Sequence, residues 1–211
     1  MLISLAYKFI HVANVKVGST CIHNALRPHA QISLPQAEWG KYLGIADIET
    51  RFAWIFDKVP LEEFTIFAVM RDPVDWLVSL YRSHAHPGFK DGALYTGNMT
   101  FDEFLSDWCR TFPERSMPQV ERLKRSDGSI GVTHVLEYER LEEQLNEMLG
   151  EIGLPEVALP AEDQIPPDLP YPEIKWLTRL KIKSAYRVDY AMRRKIRVQR
   201  SRAEAMALAR Q

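Results

Sequence analysis

Two short stretches carry residue types that could handle an anion. The first is Lys16-Val17-Gly18-Ser19-Thr20, which follows an apolar, β-prone run at Phe9, Ile10, Val12 and Val15. A glycine followed by two hydroxyl residues suits a turn from strand into a capped helix. The free N–H groups of a first helical turn point at a phosphate-sized anion, and the helix dipole adds roughly 0.3–1 kcal/mol. Lys16 adds a full charge beside them. The second stretch is Arg71-Asp72-Pro73, with Ser79 eight residues after the arginine. Pro73 suits a first helical position, Asp72 can cap that helix, and Ser79 then falls about two turns along it. A guanidinium and a hydroxyl can converge there on one phosphate. Each stretch also has a plain structural reading, as a capped turn with an exposed lysine and as a surface ion pair beside a packed serine.

The elements around these residues follow from periodicity. Phe64 to Met70 is a near-continuous apolar run, which predicts a parallel strand buried on both faces and lying beside the first strand. An arginine at the carboxyl end of such a strand points into the crevice where open α/β sheets bind ligands. Helices are expected from Cys21 to Ala30, ended by Pro28, and over 47–57, 101–112 and 119–123. A third β-prone run spans Val132 to Glu137, and a helix from Leu141 to Ile152 is closed by Gly153 and Pro155. The charges of that last helix read as a solvated face. Residues 31–44 read as an irregular polar stretch of the kind that binds acceptors. Pro155, Pro160, Pro166, Pro167, Pro170 and Pro172 predict an extended connector. The expectation is an α/β fold with a mostly parallel sheet flanked by helices, organised as a core over 1–154, a connector over 155–174 and a basic helical tail over 175–211 packed on the same domain.

Composition fits that plan. The 211 residues are 46% hydrophobic and 26% charged, which argues against disorder. The most apolar run falls far short of the roughly 20 residues needed to cross a membrane, and no signal-peptide pattern opens the chain, so a cytoplasmic protein is expected. Cys21 and Cys109 have no neighbouring cysteine, which points to neither a disulfide framework nor a zinc site. Net charge is −1, yet the stretch from Lys175 to Gln211 holds 12 lysines and arginines against Asp189 and Glu204. One reading of that tail is a nucleic-acid patch. Without interleaved aromatics or a helix-turn-helix pattern, the favoured reading is a solvated helical face that also attracts a polyanionic donor or acceptor.

In the common phosphate loop the lysine follows the last glycine, whereas Lys16 precedes Gly18, which disfavours an ATPase or a nucleoside-phosphate kinase. Taken together, the two stretches resemble the sulfotransferases that use 3′-phosphoadenosine 5′-phosphosulfate (PAPS), in their carbohydrate-type and bacterial branches. Ala25-Leu26-Arg27-Pro28-His29-Ala30, Met99 to Phe104 and Gly131 to Leu141 are also similar to small bacterial members. The likeness covers most of residues 8 to 154. It implies a P-loop-like fold in which Lys16, Val17, Gly18, Ser19, Thr20 and Cys21 hold the 5′-phosphosulfate while Arg71 and Ser79 hold the 3′-phosphate. It also implies Lys16 as the catalytic cation, no metal, no nucleic-acid partner, and a small-molecule or saccharide acceptor bearing a hydroxyl or amine. The sequence departs from the family where Lys41-Tyr42 stands in place of a common Lys-His pair. Tyr42 is then the candidate in the base position, although its reference pKa near 10 makes it a poor base. Asp47 and His23 are the next candidates. Two other readings stay open, a catalytically impaired nucleotide- or polyanion-binding protein of the same fold and, less favoured, the kinase.

Overall fold

The computed structural model describes residues 1–160 and 171–208, with side chains as far as Ser201. Strands β1 (Leu2–Ser4) and β2 (Phe9–Val12) pair antiparallel, and β3 (Ile32–Ser33) pairs antiparallel with the other side of β1. On the other flank, β2 runs parallel to β4 (Thr65–Met70), with Ile10 opposite Ile66, and β4 runs parallel to β5 (His134–Glu137), with Phe67 opposite His134. The order is β3-β1-β2-β4-β5. The first and second apolar runs of the sequence are thus neighbours, as their pattern requires, in a mixed sheet whose central strands are parallel.

Alternating side chains build two apolar layers. Phe9, Phe67 and Val69 face one cluster with Ile22, Leu77 and Leu145, whereas Ile10, Ile66 and Ala68 face the other with Ile48 and Leu123. All but Ile66, at 2%, are fully shielded from solvent, and burying each large side chain contributes roughly 1.5–3 kcal/mol. The helices supplying those partners are α1 (Ser19–Leu26), α2 (Ile45–Arg51), α3 (Pro73–His84) and α4 (Leu141–Glu151), with Leu123 coming from the 3-10 stretch Gln119–Leu123. Helix α1 stops before Pro28, and Arg27–His29 continues as a single tight 3-10 turn. Between α3 and β5, the helical stretch from Phe101 to Thr111 has a π-helical middle at Phe104–Trp108. The chain closes with α5 (Trp176–Ala185) and α6 (Arg187–Leu208).

Two local expectations need correction. The polar stretch 31–44 contains β3, held to β1 by pairing that no local pattern signals. The acidic residues of α4 are not simply solvated, because Glu142 accepts a bond from Leu159 N at 2.9 Å and Glu147 accepts one from Arg200 at 3.0 Å. The start of the connector lies along this helix, with Val157 N and O both bonded to the Asn146 amide. The proline run over 161–170 lies outside the described residues. Among those described, no helix is long and apolar enough to cross a membrane.

Candidate functional site

The turn after β2 owes its shape to two left-handed residues, Lys16 at φ 57° and Gly18 at φ 77°. Gly18 is doubly required, since a Cβ there would meet Leu141 Cδ2 at 2.8 Å. It is also the N-cap of α1 and brings no side chain to that position. The expected hydroxyl cap is not made, because Ser19 Oγ turns back to donate to Asn14 O at 2.6 Å. The first-turn N–H groups, which no carbonyl of the helix reaches, are therefore left for an anion. The loop is stitched to the next strand-to-helix corner by two bonds. Asn14 Nδ2 donates to Val69 O at 3.0 Å, and Trp76 Nε1 on α3 donates to Val15 O at 2.8 Å. Val17 is buried and Lys16 partly exposed. Cys21 is buried, with its Sγ 3.4 Å from Pro160 O.

Arg71 follows the last residue of β4, and its main chain is clamped. Its N–H donates to Gln119 Oε1 and its carbonyl accepts from Gln119 Nε2, both at 2.9 Å. Its guanidinium stacks over the Tyr138 ring, 4.3 Å from the centroid. The same ring lies 3.7 Å from where a Gly18 Cβ would be. Tyr138 thus stands between the loop and Arg71, and beside the loop lies a cleft of about 580 Å³ lined by Gly18, Cys21, Tyr138, Leu141, Leu159 and Pro160 together with the charged Glu139, Arg140, Glu142 and Glu143. Among the described residues Arg71 pairs with no carboxylate. Asp72 caps α3 as expected, accepting from Val74 N at 2.8 Å. Ser79 is buried on α3 one turn beyond Trp76, the residue that reaches the loop. No hydrogen bond joins it to Arg71 among the described residues.

A third cation reaches the loop from residues 40–44. Lys41 Nζ donates to Thr20 Oγ1 at 3.0 Å and lies 5.5 Å from the Tyr42 ring centroid. This sets the Lys41-Tyr42 corner against the first turn of α1, where Arg122 Nε holds Tyr42 O at 3.1 Å. In sequence Lys41 stands only as a neighbour of Tyr42, and the departure from the Lys-His pair falls on the second residue, while the first carries the contact.

The sulfotransferase family model matches residues 8–196. This chain belongs to the sulfotransferase family. No curated protein matches the sequence. Membership makes this sulfotransferase a transferase of sulfuryl groups with an α/β fold.

The remaining candidates for a proton acceptor separate by environment. Asp47 Oδ2 accepts from Gly44 N at 3.1 Å and is spent on the start of α2. His23 lies on α1 with Nε2 3.0 Å from Ser33 Oγ. Burial first, then the positive charges of the N-terminal amine, Lys41 and Arg27, lower its pKa to about 4, so the ring is neutral at pH 7. His11 is fully buried and stacked on Phe67 at 4.9 Å, and burial holds its pKa well below the ordinary imidazole value. His84, at the far end of α3, is lowered by burial, opposed by its bond to Leu80 O and helped by the charges of Arg115 and Lys16. Among the described residues no group of three or more His, Cys, Asp or Glu could hold a metal ion.

Proposed function

We propose that this sulfotransferase takes PAPS as donor and transfers its sulfuryl group to a hydroxyl or amine of a small-molecule acceptor, a saccharide of the kind used by carbohydrate-type bacterial members being one candidate. The observation that carries the reading is the pair of cationic positions separated by Tyr138, with the Lys16 loop on one side and Arg71 on the other. PAPS has two anionic clusters separated by a ribose, and the chain offers a donor set for each. Lys16, Lys41 and the N–H groups from Val17 to Cys21 serve the 5′-phosphosulfate. Arg71 and Ser79 serve the 3′-phosphate.

In the transfer, the bond from sulfur to the bridging oxygen of the 5′-phosphate breaks and a bond from sulfur to the acceptor atom forms. Negative charge gathers on that bridging oxygen, so catalysis consists mainly of positioning and of charges already in place. Lys16 supplies a full charge there, and Lys41, through Thr20, supports the same turn. A hydroxyl acceptor must also give up a proton. Tyr42 lines the acceptor side in this reading and orients the acceptor, while a neutral amine needs no base because its lone pair is already nucleophilic. The same tyrosine supports the second reading, a binding protein of this fold with impaired turnover.

Two measurements test the proposal together. Calorimetric titration should give adenosine 3′,5′-bisphosphate an affinity about tenfold or more above that of ATP, and labelled sulfate should pass from PAPS to at least one of a panel of saccharide, phenol and amine acceptors. Tighter ATP binding would favour the kinase. Tight bisphosphate binding without transfer to any acceptor would favour the impaired binder.

A further inference from the structure

The C-terminal helices hold charge that the donor site does not use. Arg193, Arg197 and Arg200 turn inward onto Glu137, Glu139 and Glu147. The outer side of α5 is different. Thr178 and Ile182 are buried against the protein, while Trp176, Leu177 and Leu180 are 68%, 53% and 53% exposed. At about 100° per residue these three side chains form one stripe about 100° wide. Arg179 and Lys183 border it on one edge and Lys181 on the other, all three exposed. Arg187, Arg194 and Lys195 are also exposed on α6. Among the described residues none of these six cations pairs with a carboxylate.

We propose that the outer face of α5 rests in the interfacial layer of an anionic lipid bilayer. A tryptophan and two leucines flanked on both edges by long cationic side chains form the amphipathic face that enters such a layer, apolar groups among the acyl chains and cations at the headgroups. Lysine and arginine can bury their stems and still reach the lipid phosphates. The stripe also discriminates among occupants. A polyanionic saccharide or nucleic acid would meet the charges but leave three large apolar side chains in water. A second copy of the chain using the same face would set these cations against their like.

The test uses the full chain sedimented with vesicles of phosphatidylcholine, with and without phosphatidylserine. Binding is expected only with the anionic lipid, and it should weaken at high salt. Each basic residue near such a surface contributes about fivefold in partitioning, so Lys181→Glu with Lys183→Glu should reduce binding about 25-fold or more. Trp176→Ser with Leu180→Ser should also abolish it. Trp176→Phe should keep binding but lose quenching of tryptophan fluorescence by brominated lipid. Since all these side chains are exposed, every variant should melt at the wild-type temperature. Equal binding to neutral vesicles, or no binding to either, would overturn the proposal. So would vesicle binding that survives Trp176→Ser with Leu180→Ser, which would reduce the attraction to charge alone. A dimer in sedimentation velocity that Trp176→Ser disperses would assign the face to a second copy instead.

Discussion

Arg71 offers the sharpest test of how the donor is held, because its loss should matter for only one end of the ligand. Replacing it with methionine removes the guanidinium and keeps a long side chain over Tyr138. A charge-assisted hydrogen bond to a phosphate is worth roughly 1.5–3 kcal/mol, which is about 10- to 150-fold in Kd. The upper half of that range applies if the guanidinium is already ordered before binding. Its stacking at 4.3 Å from the Tyr138 centroid and the double clamp by Gln119 both point that way. The lost stacking costs about 0.5–1 kcal/mol of stability at a partly exposed site and acts on free and bound protein alike. The assay is calorimetry with adenosine 3′,5′-bisphosphate and with adenosine 5′-monophosphate, on wild type and Arg71→Met. The bisphosphate should weaken about tenfold or more, and the monophosphate should stay within about twofold. Equal losses for both ligands would refute a 3′-phosphate role and leave Arg71 as a structural cation on Tyr138.

The other predictions concern Lys16 and the buried histidines. Lys16→Ala should cut turnover by about 10²- to 10³-fold, as expected for one preorganised donor to a developing oxyanion, with the circular dichroism unchanged; near-normal turnover would remove Lys16 from the chemistry. His23 has a folded pKa of about 4 against 6.5 unfolded, so below pH 6.5 the unfolded chain binds the extra proton. Stability is full above about pH 6.5 and falls towards pH 4 by about 1.4 kcal/mol per pH unit for this residue, with His11 acting in the same direction. Urea midpoints measured between pH 7 and pH 5 should drop, and His23→Asn should flatten the slope. An unchanged slope would show that His23 does not carry this acid sensitivity.

The parts of the site legible in sequence are those whose cause is local. Gly18 after a lysine, the unbroken apolar run into Arg71, and Asp72-Pro73 as cap and first helical residue each act within a few positions. The structure places the two strands side by side and the two turns at the same end of the sheet. What escaped the sequence is made by pairing across the chain. Strands β1 and β3 have three and two residues, too short for an alternating pattern. Lys41 contacts Thr20 across an intervening strand. Tyr138 belongs to a stretch marked as family-like, yet its place between Gly18 and Arg71 depends on β5 lying next to β4. The acidic face of α4 reads as solvated until Arg200 is folded onto it.

The basic tail shows why a charge count alone misleads. Asp189 and Arg193 lie four residues apart on α6, hence on one face, and both are buried. Arg193 Nη1 donates to Met70 O at 3.1 Å, and the Asp189 carboxylate accepts from Gln119 N at 2.9 Å and Val120 N at 3.0 Å. Gln119 in turn clamps Arg71. Burying such charges is costly and is tolerated only when each is hydrogen-bonded; burial raises the Asp189 pKa against the pull of those N–H bonds. Two consecutive residues at the end of β4 are thus fixed by a helix more than a hundred positions later, and the family match, which runs to residue 196, takes in both of its anchors. An arginine whose N–H and carbonyl are held by one glutamine cannot swing as a loop residue would. Its guanidinium moves only through its own side-chain torsions, and the Tyr138 ring narrows those to the side that faces the loop.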